Sequence, residues 1–354
     1  TELGLRWRWR YPEQALRLYR RSDDLVVLVH GESDGLAVVL LQNSGSIHTR
    51  ARRYQQAKDA YERALPLLIL RFGERDPHVA AALGNLGLVY CGLGDYARAL
   101  EMGRRALDVD TSVSGPDHPD AGISLLNLAY ISDKAGDQGP ALEKADGAIA
   151  IFARHFPPGH PLRIRAANLK AGFLIESGRL AEPRDAIGSL GVAEGGSVEA
   201  KLGVLNGRVI LADIERLERR PLTSEELARG VLADPAVHSD RRVEADARWA
   251  DAYALAMQAK LQEAEGERKQ ALAMESALGE GVAFPGVFAD AKYHLCAGDF
   301  AGSIAILREA AAKGFHDPSV LSDPAFAVLR QNPDFAPIAA AVMPRDLPVP
   351  SAVH

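Results

Sequence analysis

The stretch VAAALGNLGLVYCGLGDYARALEMGRRALDVDTSVSGPDHPDAG, residues 79–122, decides the fold. Leu83, Leu86 and Tyr90 recur at the spacing of one helix face. Gly94 predicts the end of that helix, because the chain leaves a helix most easily through a residue with positive φ. Tyr96, Ala99, Leu100, Ala106 and Leu107 mark a second helix. Alanines at such positions let two helices approach closely, where larger side chains would overpack the contact. The segment SGPDHPDAG then breaks the helix, and Pro119 suits the first turn of the next one, having no amide hydrogen to leave unpaired. The unit is thus a helix, a tight turn, a second helix and a proline-marked link.

The same unit recurs every 42 residues. Pro77, Pro119 and Pro161 fall on one another, preceded by Asp76, His118 and His160. Gly31, Gly73 and Gly115 share one place in the unit, and Gly94, Gly136 and Gly178 share another. Ala15, Ala57, Ala99 and Ala141 align, as do Ala64, Ala106 and Ala148, and as do Asn43, Asn85 and Asn127. So many coincidences at one shift indicate an internal repeat, and the repeat sets the fold class. The expected fold is all-α, an α-solenoid of stacked antiparallel helix hairpins.

A period above 40 residues also suits HEAT and armadillo arrays. The spacing inside the unit discriminates. Leu86–Gly87, Tyr90, Gly94–Asp95–Tyr96, Ala99 and Ala106 resemble the tetratricopeptide repeat, with extra residues between Leu107 and Pro119 lengthening the second helix. This long form, with GPDHPD leading into SLLNLAYI, is similar to the repeats of kinesin light chains and to units found in bacterial regulatory proteins. The resemblance covers residues 12–180 and fades beyond.

The regular array is expected over residues 1–192, its first repeat truncated: Ala15 and Tyr19 fall on the second-helix positions Ala57 and Tyr61, so missing sequence is expected upstream of Thr1. Pro183 replaces the alanine of the fourth downstream unit, which places it in a first turn or shortens that helix. Residues 193–240 read as an irregular helical joint, with one helix stopped by Pro221 and a capping-box spacing at Thr223 and Glu226. Residues 241–313 read as two further hairpins, with Ala264, Ala271 and Gly298 in their places. In residues 314–342, Phe315, Leu321, Phe326, Leu329 and Phe335 are expected to close the apolar end of the array, and 343–354 to be a disordered tail.

Composition narrows the function classes. A net charge of −6 on 354 residues does not supply the basic stripe that nucleic acid requires. No apolar run approaches the length of a membrane span. Cys91 and Cys296 stand far apart, and neither a disulfide framework nor a thiolate metal site is expected; a reducing, cytoplasmic setting is the simpler reading. Phosphate-binding, zinc-peptidase, serine-hydrolase and kinase motifs are absent from the sequence. The scattered histidines suit surface or capping roles, and the carboxylates read as solvated helix faces. No catalytic residue, cofactor or metal is therefore expected.

The chain is expected to bind a protein or peptide partner, as a scaffold or adaptor, with no oligomeric state indicated. In tetratricopeptide arrays the first helices line a concave groove, and asparagines at the offset of Asn43, Asn85 and Asn127 form a ladder along the backbone of an extended guest. By that resemblance Asn43, Asn85, Asn127 and the less well registered Asn168, with Leu88 and Cys91, are the candidate partner-binding residues. An amide suits the task, offering donors and an acceptor. The competing reading has the same asparagines joining neighbouring helices of the array. A second functional expectation follows from the closing segment, which is similar to the C-terminal regions of bacterial serine/threonine protein kinases: a regulatory portion of a larger signalling protein, its catalytic domain upstream.

Overall fold

The computed structural model describes residues 35–188, 190, 197–276, 286–313 and 323–342, and all regular structure among them is helical. The expectations for Ala15, Tyr19, Gly31, Phe315, Leu321 and the 343–354 tail lie outside the described residues. The chain divides into two compact units, one ending at Ser132 and the other running from Asp133.

In the first unit α1 (Gly35–Arg50) pairs with α2 (Tyr54–Phe72), and α3 (Pro77–Gly92) with α4 (Tyr96–Ser114); α5 (Pro119–Lys134) follows, its last two residues belonging to the second unit. Local chemistry sets each boundary. Pro77 opens α3, and the Asp76 carboxylate accepts the His78 amide hydrogen, supplying one of the partners that a helix start lacks. Asp95 does the same for α4, accepting from the Arg98 amide. Between them Gly94 stands at φ +80°, where a side chain would be strained although nothing crowds the site.

The hairpins nest through their smallest residues. Ala57, Ala64, Ala99 and Ala106 are wholly buried. A Cβ on Gly87 would lie 3.1 Å from the Ala99 carbonyl oxygen, so α3 and α4 touch backbone to backbone there. A Cβ on Gly103 would lie 2.7 Å from the Leu128 side chain, and one on Gly92 would enter the Tyr54 ring. The aromatic and branched residues fill what this spacing leaves: Tyr61, Leu68, Leu83, Leu126, Leu128 and Ile131 are almost fully buried.

The second unit continues with α6 (Gln138–His155), α7 (Pro161–Glu176), the short α8 (Ala181–Gly188), α9 (Val198–Leu217), α10 (Pro221–Leu232), α11 (Arg241–Met257), α12 (Leu261–Ser276), α13 (Val287–Cys296), α14 (Phe300–Ala312) and α15 (Ala336–Val342). Helices α7 and α8, α9 and α10, α11 and α12, and α13 and α14 pair as hairpins. His160 caps α7, its imidazole nitrogen accepting from the Leu162 amide. Pro183 sits in the first turn of α8, which is also cut to eight residues.

Where the sequence suggests an irregular joint over 193–240, the residues from 197 form an ordinary hairpin. Ser197 caps α9, and Ser224 donates to the Ala212 carbonyl oxygen at 2.8 Å across the α9–α10 contact. Pro221 begins α10, so Thr223 lies inside the helix and makes no capping box; Arg220 holds the cap position without a side-chain bond. Proline spacing, valid elsewhere in the chain, signals this start better than the threonine does. At the other end a turn over Pro324–Leu329 and α15 bury Phe326, Leu329, Phe335 and Ile338 against Ala291, Ile304 and Leu307 of the last hairpin.

Ala99→Leu is expected to cost about 1–3 kcal/mol by overpacking. Gly94→Ala is expected to cost only the strain of positive φ, about 1 kcal/mol, because its Cβ meets no neighbour. Urea unfolding of the two variants measures both, and a larger loss at Gly94 than at Ala99 would contradict the packing account.

Candidate functional site

In each unit the first helices of the hairpins carry polar side chains where a closed core would be apolar. In the first unit Asn43, Asn85 and Leu88 are half-buried, while Asn127 and Cys91 are buried. Among the described residues Asn85 makes no side-chain hydrogen bond. Asn127 stands differently. Its amide nitrogen lies 3.4 Å from where a Cβ on Gly84 would be, so it occupies the space that glycine leaves on the preceding first helix.

In the second unit Asn168 is buried and donates from Nδ2 to the Gly203 carbonyl oxygen of α9 at 2.7 Å. Its oxygen packs over Gly207. This amide is thus committed to holding α7 against α9, the competing role raised by the sequence. Asn85, Asn127 and the less well registered Asn168 do not share a task.

A second constellation, of residues that in sequence read as solvated faces, lies at the last turns of the first helices of the second unit. Lys134 ends α5 and Glu176 ends α7, at the same position of successive repeats. Asp213 and Arg216 lie near the end of α9, Tyr253 in the last turns of α11, and Lys292 and Cys296 on α13. Asp323, at the start of the closing turn, joins them.

Cations and carboxylates there pair closely. Lys134 Nζ lies 3.4 Å from Asp133 and 3.6 Å from Glu176 Oε1. Arg216 meets Asp213 at 2.6 Å, and its guanidinium lies 5.4 Å from the centre of the Tyr253 ring. Lys292 pairs with Asp323, whose carboxylate also accepts from the Ala325 amide. Each side chain keeps some access to solvent, from 15% for Asp323 to 28% for Asp213, except Asp133 and Arg216, which are all but covered.

Burial and neighbours set the protonation states. Desolvation works against the charge of Lys292, but Asp323 and Asp213 together more than offset it and the ammonium is held. Arg216 is held charged in the same way, by Asp213. Glu176 moves the other way. Desolvation raises its pKa to about 7, and the Asp133 and Asp323 charges add to the rise that Lys134 and Lys292 oppose. Its Oε2 is covered and has no hydrogen-bond partner. Its place at a helix C-terminus, the negative end of the macrodipole, adds a further cost to its charge. Asp251 of α11 is a second buried carboxylate, its pKa pushed up by burial to about 6 against the pull of Arg229 at 3.3 Å.

Periodicity flagged asparagines because they repeat. It passed over this cluster because its members differ in type from repeat to repeat. The available signal was positional: Arg50, Lys134 and Glu176 are ionisable and fall at one place in the repeat, the end of a first helix, with Gly92 between them. Among the described residues no group of three metal-ligating side chains converges, and no helix is long and apolar enough to cross a membrane.

Residues 78–154 match the tetratricopeptide repeat family. No curated protein matches the chain. Among solved structures, a Rap protein complexed with Competence and Sporulation Factor is 12% identical, covering 86% of this chain and 96% of its own, with a TM-score of 0.53. A putative kinesin light chain from Podosopora anserina is 18% identical over 55% of this chain and 93% of its own, at a TM-score of 0.44. The hetero-tetramer Cut9-Hcn1 of the APC/C is 13% identical over 92% of this chain and 59% of the matched one, at 0.46. The Rap protein likeness concerns the fold alone.

Folded-state pKa values above the carboxylate norm mean that the native protein binds more protons than the unfolded chain between about pH 5 and 7. Stability is therefore expected to fall as pH rises through that window, by about 1–3 kcal/mol for Glu176. Glu176→Gln should flatten the profile between pH 5.5 and 7.5, and an unchanged slope in urea titrations would show that Glu176 titrates normally.

Proposed function

We propose that this chain of tetratricopeptide repeats is a binding protein that acts without chemistry of its own, taking an extended peptide or protein segment along the first helices of its hairpins. The observation that carries the reading is the polar character of those helices at half-buried positions, with Asn85 lacking an internal hydrogen-bond partner and the charged cluster of the second unit partly open to water. A surface that served only to pack would be apolar, since each unsatisfied buried polar group costs about 1–3 kcal/mol. Stacked hairpins also offer a long surface made of similar, repeated positions, which suits a guest whose own backbone repeats.

Within this reading Asn43 and Asn85 are the backbone-binding amides of the first unit, and Leu88 offers the apolar contact beside them. Asn127 and Cys91 support the surface from beneath. Asn168 serves α7–α9 packing. The Rap protein with a similar fold is held in a complex with Competence and Sporulation Factor, and the fold thus accommodates binding without prescribing the partner.

The test uses hexapeptide pools presented to the full chain. Asn85→Ala is expected to weaken retained peptides by roughly fivefold, the worth of about one hydrogen bond, with the melting temperature unchanged. Asn127→Ala is expected to lower the melting temperature. Should Asn85→Ala leave affinity intact and destabilise the protein instead, the asparagines are structural throughout.

A further inference from the structure

We infer that the charged cluster at the ends of the first helices of the second unit receives a cationic group of the guest, a lysine or arginine side chain or a free N-terminal amine, at Glu176. The inference rests on the peptide-binding reading above and specifies the chemistry of one position in it.

The argument begins with the inventory of charge. The cluster holds three cations, Lys134, Arg216 and Lys292, and four carboxylates, Asp133, Asp213, Glu176 and Asp323. Three pairs form directly: Lys134 with Asp133, Arg216 with Asp213, and Lys292 with Asp323. Glu176 shares Lys134 with Asp133, at 3.6 Å, and its Oε2 has no hydrogen-bond partner. The surplus is of one sign, and a guest that completes it brings a positive charge.

Position sharpens the point. Glu176 faces Asp133 and Lys134 from α5, Lys292 from α13 and Asp323 from the closing turn, with the Asp213–Arg216 pair of α9 beyond. Among the described residues, Lys134 and Lys292 are the cations that bear on it. On the α6 side Asp146 is tied to Lys170, and on the α8 side Glu182 is tied to Arg179 and Arg184 to Glu215 and Glu218. The side chain retains 22% of its exposure, so part of the carboxylate is open to water.

A network that only joined helices would gain from replacing Glu176 by an apolar residue, because its covered Oε2 has no partner. Local rules are broken most often where a site is used. Without a guest Glu176 holds a proton near neutral pH; an incoming cation stabilises the carboxylate, and the proton leaves to solvent as the ion pair forms. Binding of a cationic guest therefore strengthens as pH rises from 6 to 8, while binding of a neutral guest does not.

The test uses the full chain and hexapeptide pools that fix one residue as Lys, Arg, Gln or Glu, each with a free or an acetylated N-terminus, measured by calorimetry at pH 6 and pH 8. Expected is at least a fivefold preference at pH 8 for a Lys, an Arg or a free-amine pool over its neutral counterpart, smaller at pH 6. The pool arms show whether a side chain or the terminus supplies the charge. Glu176→Gln is expected to fold, to keep binding neutral pools and to lose the preference; Glu176→Asp is expected to keep part of it. If pools bind without cationic preference, or with a preference that Glu176→Gln leaves unchanged, this inference fails and the peptide-binding reading stands. If no pool binds, the peptide-binding reading itself fails and this inference falls with it.

Discussion

The close approach of helices at alanine and glycine is the constraint on which the rest of the structure depends. Where Gly87 faces the Ala99 carbonyl, and Gly103 faces Leu128, there is no room for another carbon atom. Tight contact of this kind gains dispersion energy over a long helix face without large side chains. It also fixes where the large ones go: Tyr61, Leu83 and Leu126 fill the spaces that the small residues define. The aromatic content of the chain is low for that reason, at 6%.

Most of the fold was legible because this constraint recurs in sequence. A residue that must be small, or must take positive φ, leaves a mark at every repeat, as Ala57, Ala99 and Ala141 do, and as Gly94, Gly136 and Gly178 do. The hairpin at 198–232 was hidden because it keeps the packing while abandoning the period. Ala212, Ala228 and Ala250 still meet there, but across altered loop lengths that the shift of 42 does not match. Pro221 announced the start of α10 by the rule that held at Pro77 and Pro161.

The candidate site was legible only in part. Repetition located Asn43, Asn85 and Asn127, with Asn168 one residue out of register, yet a shared offset does not settle what an amide meets. That depends on the neighbour: Gly203 presents a carbonyl to Asn168, and Gly84 leaves a hollow for Asn127. The charged cluster could not be seen at all from one helix at a time. Lys134, Glu176, Arg216 and Lys292 look like ordinary surface charges until the hairpins bring the ends of their first helices together.

Arrays of stacked hairpins are often described as one-dimensional, each repeat answering only to its neighbours. The ring of charge in the second unit breaks that rule. Asp323, in the closing turn, bears on Glu176 of α7, which lies three hairpins earlier along the chain. Partial opening of the last hairpin removes Asp323 and Lys292 together, and so alters the electrostatic surroundings of a helix it does not adjoin in sequence. The closing segment thus does more than cover an apolar end. It gives the second unit a link of long sequence separation, through which fraying at the carboxyl side is felt in the middle of the protein.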